Sequence, residues 1–195
     1  MKWTELALNG TERLQFGGKH IGSVQRQAAA KRTNDLAVYF EGGPRLDLAE
    51  AADVSQSLEN PRLFIIEGTL TDTFVTFGGE KAYWLTTAGA LKSELPLFRE
   101  AGLEEYWTTQ FLQEPNGLII VYESGILAID LDLALRWHNH KFLNDHFVRL
   151  DQDALIFFRD EENQGKEWFV RLETGKVQNG SVGETGEQTG RFPKD

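Results

Sequence analysis

Short strand-forming runs separated by turn residues recur along most of this chain, and they constrain its fold more than any other feature. Runs of five or six residues, such as Leu63–Glu67, Thr73–Phe77, Lys81–Thr86 and Gly117–Tyr122, are rich in β-branched and aromatic residues. The links between such runs are short and contain Gly, Asp or Asn, which favour tight turns. Strands in such close succession pair as antiparallel neighbours, so the sequence predicts a mainly β protein.

The N-terminal residues carry a hairpin signal. Trp3–Leu8 and Thr11–Phe16 are strand-like runs on either side of Asn9-Gly10, and both turn residues tolerate the positive φ of a type I′ turn. A further strand is predicted at Leu36–Phe40. Residues 19–33 are ambiguous, because they are compatible with a helical turn or with a loop.

Two segments have the signals that begin and end a helix. Residues 47–58 start with an Asp that can act as an N-cap, and Glu50 stands at the capping-box position. Residues 93–102 start with Ser-Glu-Leu-Pro, which places Pro in the first turn, and end with a Gly. One or two short helices are therefore expected beside the strands.

The strands group into units with a period of about 40 residues. Units that begin at Asp72, Asn116 and Gln152 share one order of turn, strand, loop, strand, turn and strand, which is typical of propeller blades. Gly117–Trp137 resembles one blade of the quinoprotein-type propeller repeat. The Thr-Gly-Lys of that repeat is missing there and occurs instead at Thr174–Lys176. We take a blade-like architecture from the resemblance, and we take no cofactor from it.

These patterns together predict antiparallel strands in propeller-blade-like meander units, with one or two short helices. Three units cannot close a propeller, so a fourth would come from residues 3–16 and 36–40. A bent sheet and a two-sheet sandwich are the alternatives. We expect one β-rich domain over residues 1–177, in which 1–32 form a basic leader of hairpin and loop. Residues 178–195 are expected to be a flexible Gly-rich tail.

Charge and composition narrow the class of partner. The chain has a formal net charge of −10, yet residues 1–32 carry +4, so the leader is either a binding arm or packs on the acidic body. An acidic body repels phosphates, which argues against nucleic acid. No apolar run approaches the ~20 residues of a membrane helix, so no membrane is expected. The absence of cysteine suits the reducing cytoplasm, where we expect the protein.

The densest group of titratable side chains suggests a metal site. If His138 and His140 lie on a strand, its period of two places both imidazoles on one face, within reach of one metal ion. Asp145 or His146 can complete three ligands and leave a position for water. The alternative is a polar edge strand whose histidines form hydrogen bonds or face water.

Six aromatic residues are candidates for a binding surface, because Trp and Tyr are frequent interface anchors. In the pairs Tyr83-Trp84 and Tyr106-Trp107, neighbouring side chains point to opposite faces of a strand, so one of each is expected to be exposed. The six candidates are Trp84, Tyr106, Trp107, Tyr122, Trp137 and Trp168.

The sequence favours recognition over catalysis. It contains neither a phosphate-binding Gly-rich loop nor the G-x-S-x-G elbow of a serine hydrolase. We therefore expect a non-catalytic, acidic β-rich protein that recognises another protein, as an inhibitor or immunity-type partner of a basic protein does. One alternative is a metal-assisted hydrolase that uses His138, His140 and His146. The other is a binder of carbohydrate or another small ligand. No cofactor is predicted.

Overall fold

A computed structural model describes residues 1–7, 11–28, 34–41, 45–48, 62–69, 72–78, 81–98, 109–142, 144–159 and 165–179. Within these residues the chain forms seventeen β-strands and no helix, and accordingly none of them belongs to a helix that could cross a membrane. The strands are β1 (Lys2–Ala7), β2 (Thr11–Phe16), β3 (Lys19–Ala28), β4 (Asn34–Phe40), β5 (Arg45–Leu48), β6 (Arg62–Glu67), β7 (Thr73–Gly78), β8 (Lys81–Thr86), β9 (Leu91–Pro96), β10 (Gln110–Glu114), β11 (Gly117–Tyr122), β12 (Gly125–Asp130), β13 (Leu135–His140), β14 (Asp145–Asp151), β15 (Ala154–Arg159), β16 (Lys166–Arg171) and β17 (Val177–Asn179).

The strands form four antiparallel sheets, each a meander of consecutive strands. The first sheet contains β2 to β5, the second β6 to β9, the third β10 to β13 and the fourth β14 to β17. The exception to chain order is β1, which pairs with β6 and becomes the fifth strand of the second sheet. The prediction of a mainly β, antiparallel fold is confirmed, and closure of the sheets into a propeller stays a prediction.

Three apolar cores join the sheets in chain order. The first core contains residues of the first and second sheets, including Val38 and Phe74. The second core joins the second and third sheets, and the third core joins the third and fourth sheets. Both middle sheets are therefore covered on both faces, which is why all six residues of β11 are buried. A strand covered on both faces reads as a continuous apolar run instead of an alternating one.

The predicted N-terminal hairpin is wrong in its pairing. β1 lies against β6, with Trp3 opposite Ile66, and β2 pairs with β3. The tight turn is Gly17-Gly18, where φ is +54° and +77°, and both signs suit a type I′ turn. Residues 19–28, whose sequence is compatible with a helical turn or with a loop, form the strand β3. Asn9-Gly10 lies outside the described residues. The Asn9-Gly10 signal favours only a local turn. The pairing of β1 with β6 extends along the whole of β1, and this longer pairing prevails.

The helix predictions are also wrong where the structure describes the chain. Ser93–Pro96 belongs to β9, in which Leu95 lies opposite Ala82 of β8. Asp47 and Leu48 belong to β5. Residues 49–58 and 99–102 lie outside the described residues. Capping signals are short and local, and a Pro at the end of an edge strand needs no hydrogen-bond partner for its nitrogen.

Both ends of the described chain are built into sheets. The ammonium group of Lys2 lies 3.7 Å from the buried carboxylate of Glu67, and the backbone N–H of Gly17 donates to the same carboxylate at 3.0 Å. The N-terminal strands thus contact the acidic body at a shared carboxylate. At the other end, Gln178 lies in β17 opposite Phe169. Residues 178 and 179, which the sequence prediction assigns to the tail, therefore belong to a strand, and residues 180–195 lie outside the described residues.

Candidate functional site

Four rings line up where the chain leaves the third sheet for the fourth. We call Phe98, His138, His140 and Phe142 the aromatic row. The ring of Phe98 lies 4.3 Å from that of His138 and 5.3 Å from that of His140, between centroids. His140 then meets Phe142 edge to face at 5.0 Å. Aromatic contacts of this geometry are favourable beyond the apolar area that they bury.

Strand geometry explains why the two histidines take part. His138 and His140 lie two residues apart on β13, opposite Leu127 and Gly125 of β12, so both point to one face, as predicted. Gly125 leaves room for the ring of the neighbouring Tyr122. A Cβ atom at position 125 would come within 2.1 Å of the Tyr122 hydroxyl oxygen.

The hydroxyl of Tyr122 holds the inner end of the row. It accepts a hydrogen bond from the backbone N–H of Phe98 at 3.0 Å and lies 2.5 Å from Nε2 of His138. Because the hydroxyl proton then has Nε2 as its acceptor, we assign the imidazole proton of His138 to Nδ1. Burial raises the pKa of Tyr122 above its usual value, and burial lowers the pKa of His138 to about 4. Both side chains are therefore neutral at pH 7.

The outer end of the row is fixed by charged groups. The guanidinium carbon of Arg159 lies 4.6 Å from the centroid of the Phe142 ring. Arg159 also donates to both oxygens of the buried Asp145 carboxylate, at 2.7 and 3.0 Å, and this carboxylate accepts from the backbone N–H of Phe142 at 3.0 Å. The buried ammonium group of Lys141 donates to the carbonyls of Glu123 and Phe142. Phe142 thus sits on a fixed backbone.

The row is exposed although it is held in place. Phe98 is 36% exposed and Phe142 is 51% exposed, and His140 between them is exposed as well. Contiguous exposed apolar patches are uncommon on folded proteins and often mark interaction sites, whereas single exposed apolar side chains are ordinary. The row is therefore the strongest candidate for a functional surface among the described residues.

The three histidines nominated for a metal site do not come together. His146 lies on β14 in the fourth sheet, opposite Phe158, and Nε2 of His138 is engaged by Tyr122. In the part of the chain that the structure describes, no three His, Asp or Glu side chains are grouped so that they could hold a metal ion. His138 and His140 share a face of β13, but no other described residue lies beside them as a third metal ligand.

The aromatic candidates from the sequence lie in the cores. Trp84, Tyr122, Trp137 and Trp168 are all buried, and Tyr106 and Trp107 lie outside the described residues. The expected division within the pair Tyr83-Trp84 is wrong, because Tyr83 is buried in the first core and Trp84 in the second. A strand in a sheet that is covered on both faces has no outward side.

The residues that sequence reasoning missed are Phe98 and Phe142. Both follow the end of a strand, Phe98 after β9 and Phe142 after β13. The alternation of a strand does not account for a large apolar residue in a connection between strands. Such a residue was the signal in the sequence that could have identified Phe98 and Phe142.

Comparison with known proteins adds no family. Neither a protein-family model nor a curated protein matches this chain.

Proposed function

We propose that the protein is a non-catalytic recognition protein that binds a basic partner protein through the aromatic row. The observation that carries the proposal is that Phe98 and Phe142 are exposed and yet anchored, Phe98 by the Tyr122 hydroxyl and Phe142 by Arg159 and Asp145. Binding energy in protein interfaces concentrates in a few such anchors.

Anchoring favours affinity because it removes a cost of association. A surface side chain that becomes fixed on binding loses about 0.5–1.5 kcal/mol of conformational entropy. In the aromatic row, ring contacts and hydrogen bonds already restrict the members, so less of this entropy is lost when a partner binds.

Charge selects the kind of partner. The net charge of −10 attracts a basic protein and speeds the encounter, and it disfavours nucleic acid. Exposed aromatic faces also receive cationic side chains, as Phe142 already does from Arg159. The absence of cysteine suits a reducing compartment, and we place this encounter in the cytoplasm.

The test compares variants of the row with a matched control. The chain is immobilised and exposed to lysate of its own source, alongside Phe142→Ala, Phe98→Ala and Phe158→Ala. Phe158 is 37% exposed and alternates with Phe157, so it lies on the face of the fourth sheet away from the third core. Captured proteins are identified, and those that depend on the row are purified for titration calorimetry.

We expect a basic protein whose dissociation constant rises about tenfold or more in Phe142→Ala and Phe98→Ala, and also at high salt. Phe158→Ala should bind as the unchanged chain does. The proposal is wrong if every captured protein binds the row variants and the unchanged chain equally, or if the row-dependent partner is acidic and indifferent to salt.

A further inference from the structure

A groove separate from the aromatic row runs between the second and third sheets. Its volume is about 350 Å³, within the range of small-molecule sites. Two stretches line it, residues 92–95 of β9 and residues 132–135, which form the turn before β13 and its first residue. Trp84 also forms part of its wall. Its apolar lining comes from Trp84, Leu95, Leu133, Ala134 and Leu135.

The groove is formed before any ligand arrives. The indole N–H of Trp84 donates to the carbonyl of Leu133, another lining residue, at 2.6 Å. A carboxylate oxygen of Asp130 accepts from the backbone N–H groups of Asp132 and Ala134, at 2.9 and 2.8 Å. Leu133 has a φ of +68°, an unfavourable conformation for a branched residue, and its buried side chain in the second core compensates for it.

The charged groups of the lining differ in whether they already have a partner within the protein. Lys92 donates to the Thr73 hydroxyl at 2.5 Å and lies 3.7 Å from the Asp72 carboxylate. Glu94 is paired with the ammonium group of Lys81 at 2.7 Å. The carboxylate of Asp132 is exposed and has no partner among the residues that the structure describes. The unpaired charge of the groove is therefore negative.

We infer that this groove binds a small alkylammonium compound. The ammonium group pairs with the Asp132 carboxylate, and the alkyl chain lies against Leu95, Leu135 and the edge of the Trp84 ring. A carboxylate or a neutral alcohol of the same length would meet the same apolar wall and lack the attraction to Asp132.

The test uses three six-carbon probes, hexylamine, hexan-1-ol and hexanoate, on the full chain. Binding is followed by the chemical shift of the Trp84 indole N–H, because that group borders the groove. Asp132→Asn removes the charge, and Ala134→Phe fills the groove. Glu173→Gln is the matched control, since Glu173 is an exposed acid in the corresponding turn of the fourth sheet, before its last strand.

We expect hexylamine binding to saturate with a dissociation constant on the order of 1 mM. Hexan-1-ol and hexanoate should bind at least about tenfold more weakly. Asp132→Asn should weaken hexylamine about tenfold, Ala134→Phe should abolish the shift, and Glu173→Gln should leave it unchanged. The inference is overturned if hexylamine gives no saturable shift, if hexanoate binds equally well, or if Asp132→Asn binds hexylamine as the unchanged chain does.

Discussion

At the scale of single residues, the partly buried hydrogen bond between Tyr122 and His138 positions the inner end of the aromatic row. Nε2 of His138 accepts a hydrogen bond from the Tyr122 hydroxyl only while the imidazole is neutral. Burial keeps it neutral by lowering its pKa to about 4. The same burial makes the protein sensitive to acid at this position.

We expect the free energy of unfolding to fall as the pH is lowered from 7 toward 4. In this interval the unfolded chain, whose imidazole titrates near 6.5, binds more protons than the folded protein. The loss due to His138 is about 1–2 kcal/mol, less than the full shift would give, because the imidazole is partly exposed. Urea unfolding at several pH values measures it. His138→Gln should show a shallower pH dependence, and an identical slope in both proteins would contradict the assignment.

Gly125 and Tyr122 should be energetically coupled. Gly125→Ala places a methyl group on the Tyr122 hydroxyl oxygen, and such overpacking costs about 1–3 kcal/mol. In a Tyr122→Leu background the aromatic ring and hydroxyl that the methyl group would meet are absent, so the same change should cost less. A double-mutant cycle from urea unfolding measures the coupling, and additive effects would show that the Tyr122 ring does not lie against position 125.

At the scale of secondary-structure elements, a tryptophan indole joins neighbouring sheets by an equivalent hydrogen bond in two places. Trp84 of the second sheet donates to the carbonyl of Leu133, and Trp137 of the third sheet donates to the carbonyl of Leu172 at 2.8 Å. Both acceptors lie in the turn before the last strand of the next sheet. These tryptophans therefore bind one sheet to the turn of another, which explains why they are buried instead of displayed.

The third core contains a matched pair for testing this role. Trp137 and Trp168 are both buried there, but the indole nitrogen of Trp168 has no hydrogen-bond partner among the described residues. Trp137→Phe should lower the free energy of unfolding more than Trp168→Phe, by about 1 kcal/mol. Equal losses in denaturant unfolding would mean that the bond to Leu172 contributes nothing.

At the scale of the whole molecule, the sequence predicted the meander strands but not their partners over long distances. Runs such as Leu63–Glu67 and Ala154–Phe158 are identified by composition and turns alone. The pairing of β1 with β6 joins residues some sixty positions apart, and nothing local in Trp3–Leu8 encodes it. Which rings are exposed was equally hidden, because exposure depends on which sheets are covered on both faces.

The long-range pairing can be tested with cysteines, since the chain has none of its own. Ala7 lies opposite Arg62 in the register of β1 and β6, so the double variant Ala7→Cys/Arg62→Cys should form a disulfide on mild oxidation. The pair Ala7→Cys/Glu12→Cys represents the hairpin around Asn9-Gly10. Efficient cross-linking of this second pair, together with failure of the first pair, would show that Trp3–Leu8 and Thr11–Phe16 form the hairpin instead.

Also at the scale of the whole molecule, we propose that the aromatic row is the surface by which this acidic protein recognises a basic partner. The most direct measurement is nuclear magnetic resonance mapping of the protein with its captured partner. We expect the ring signals of Phe98, His140 and Phe142 to change most on binding. Changes confined to the first sheet, with the signals of these three rings unmoved, would contradict it.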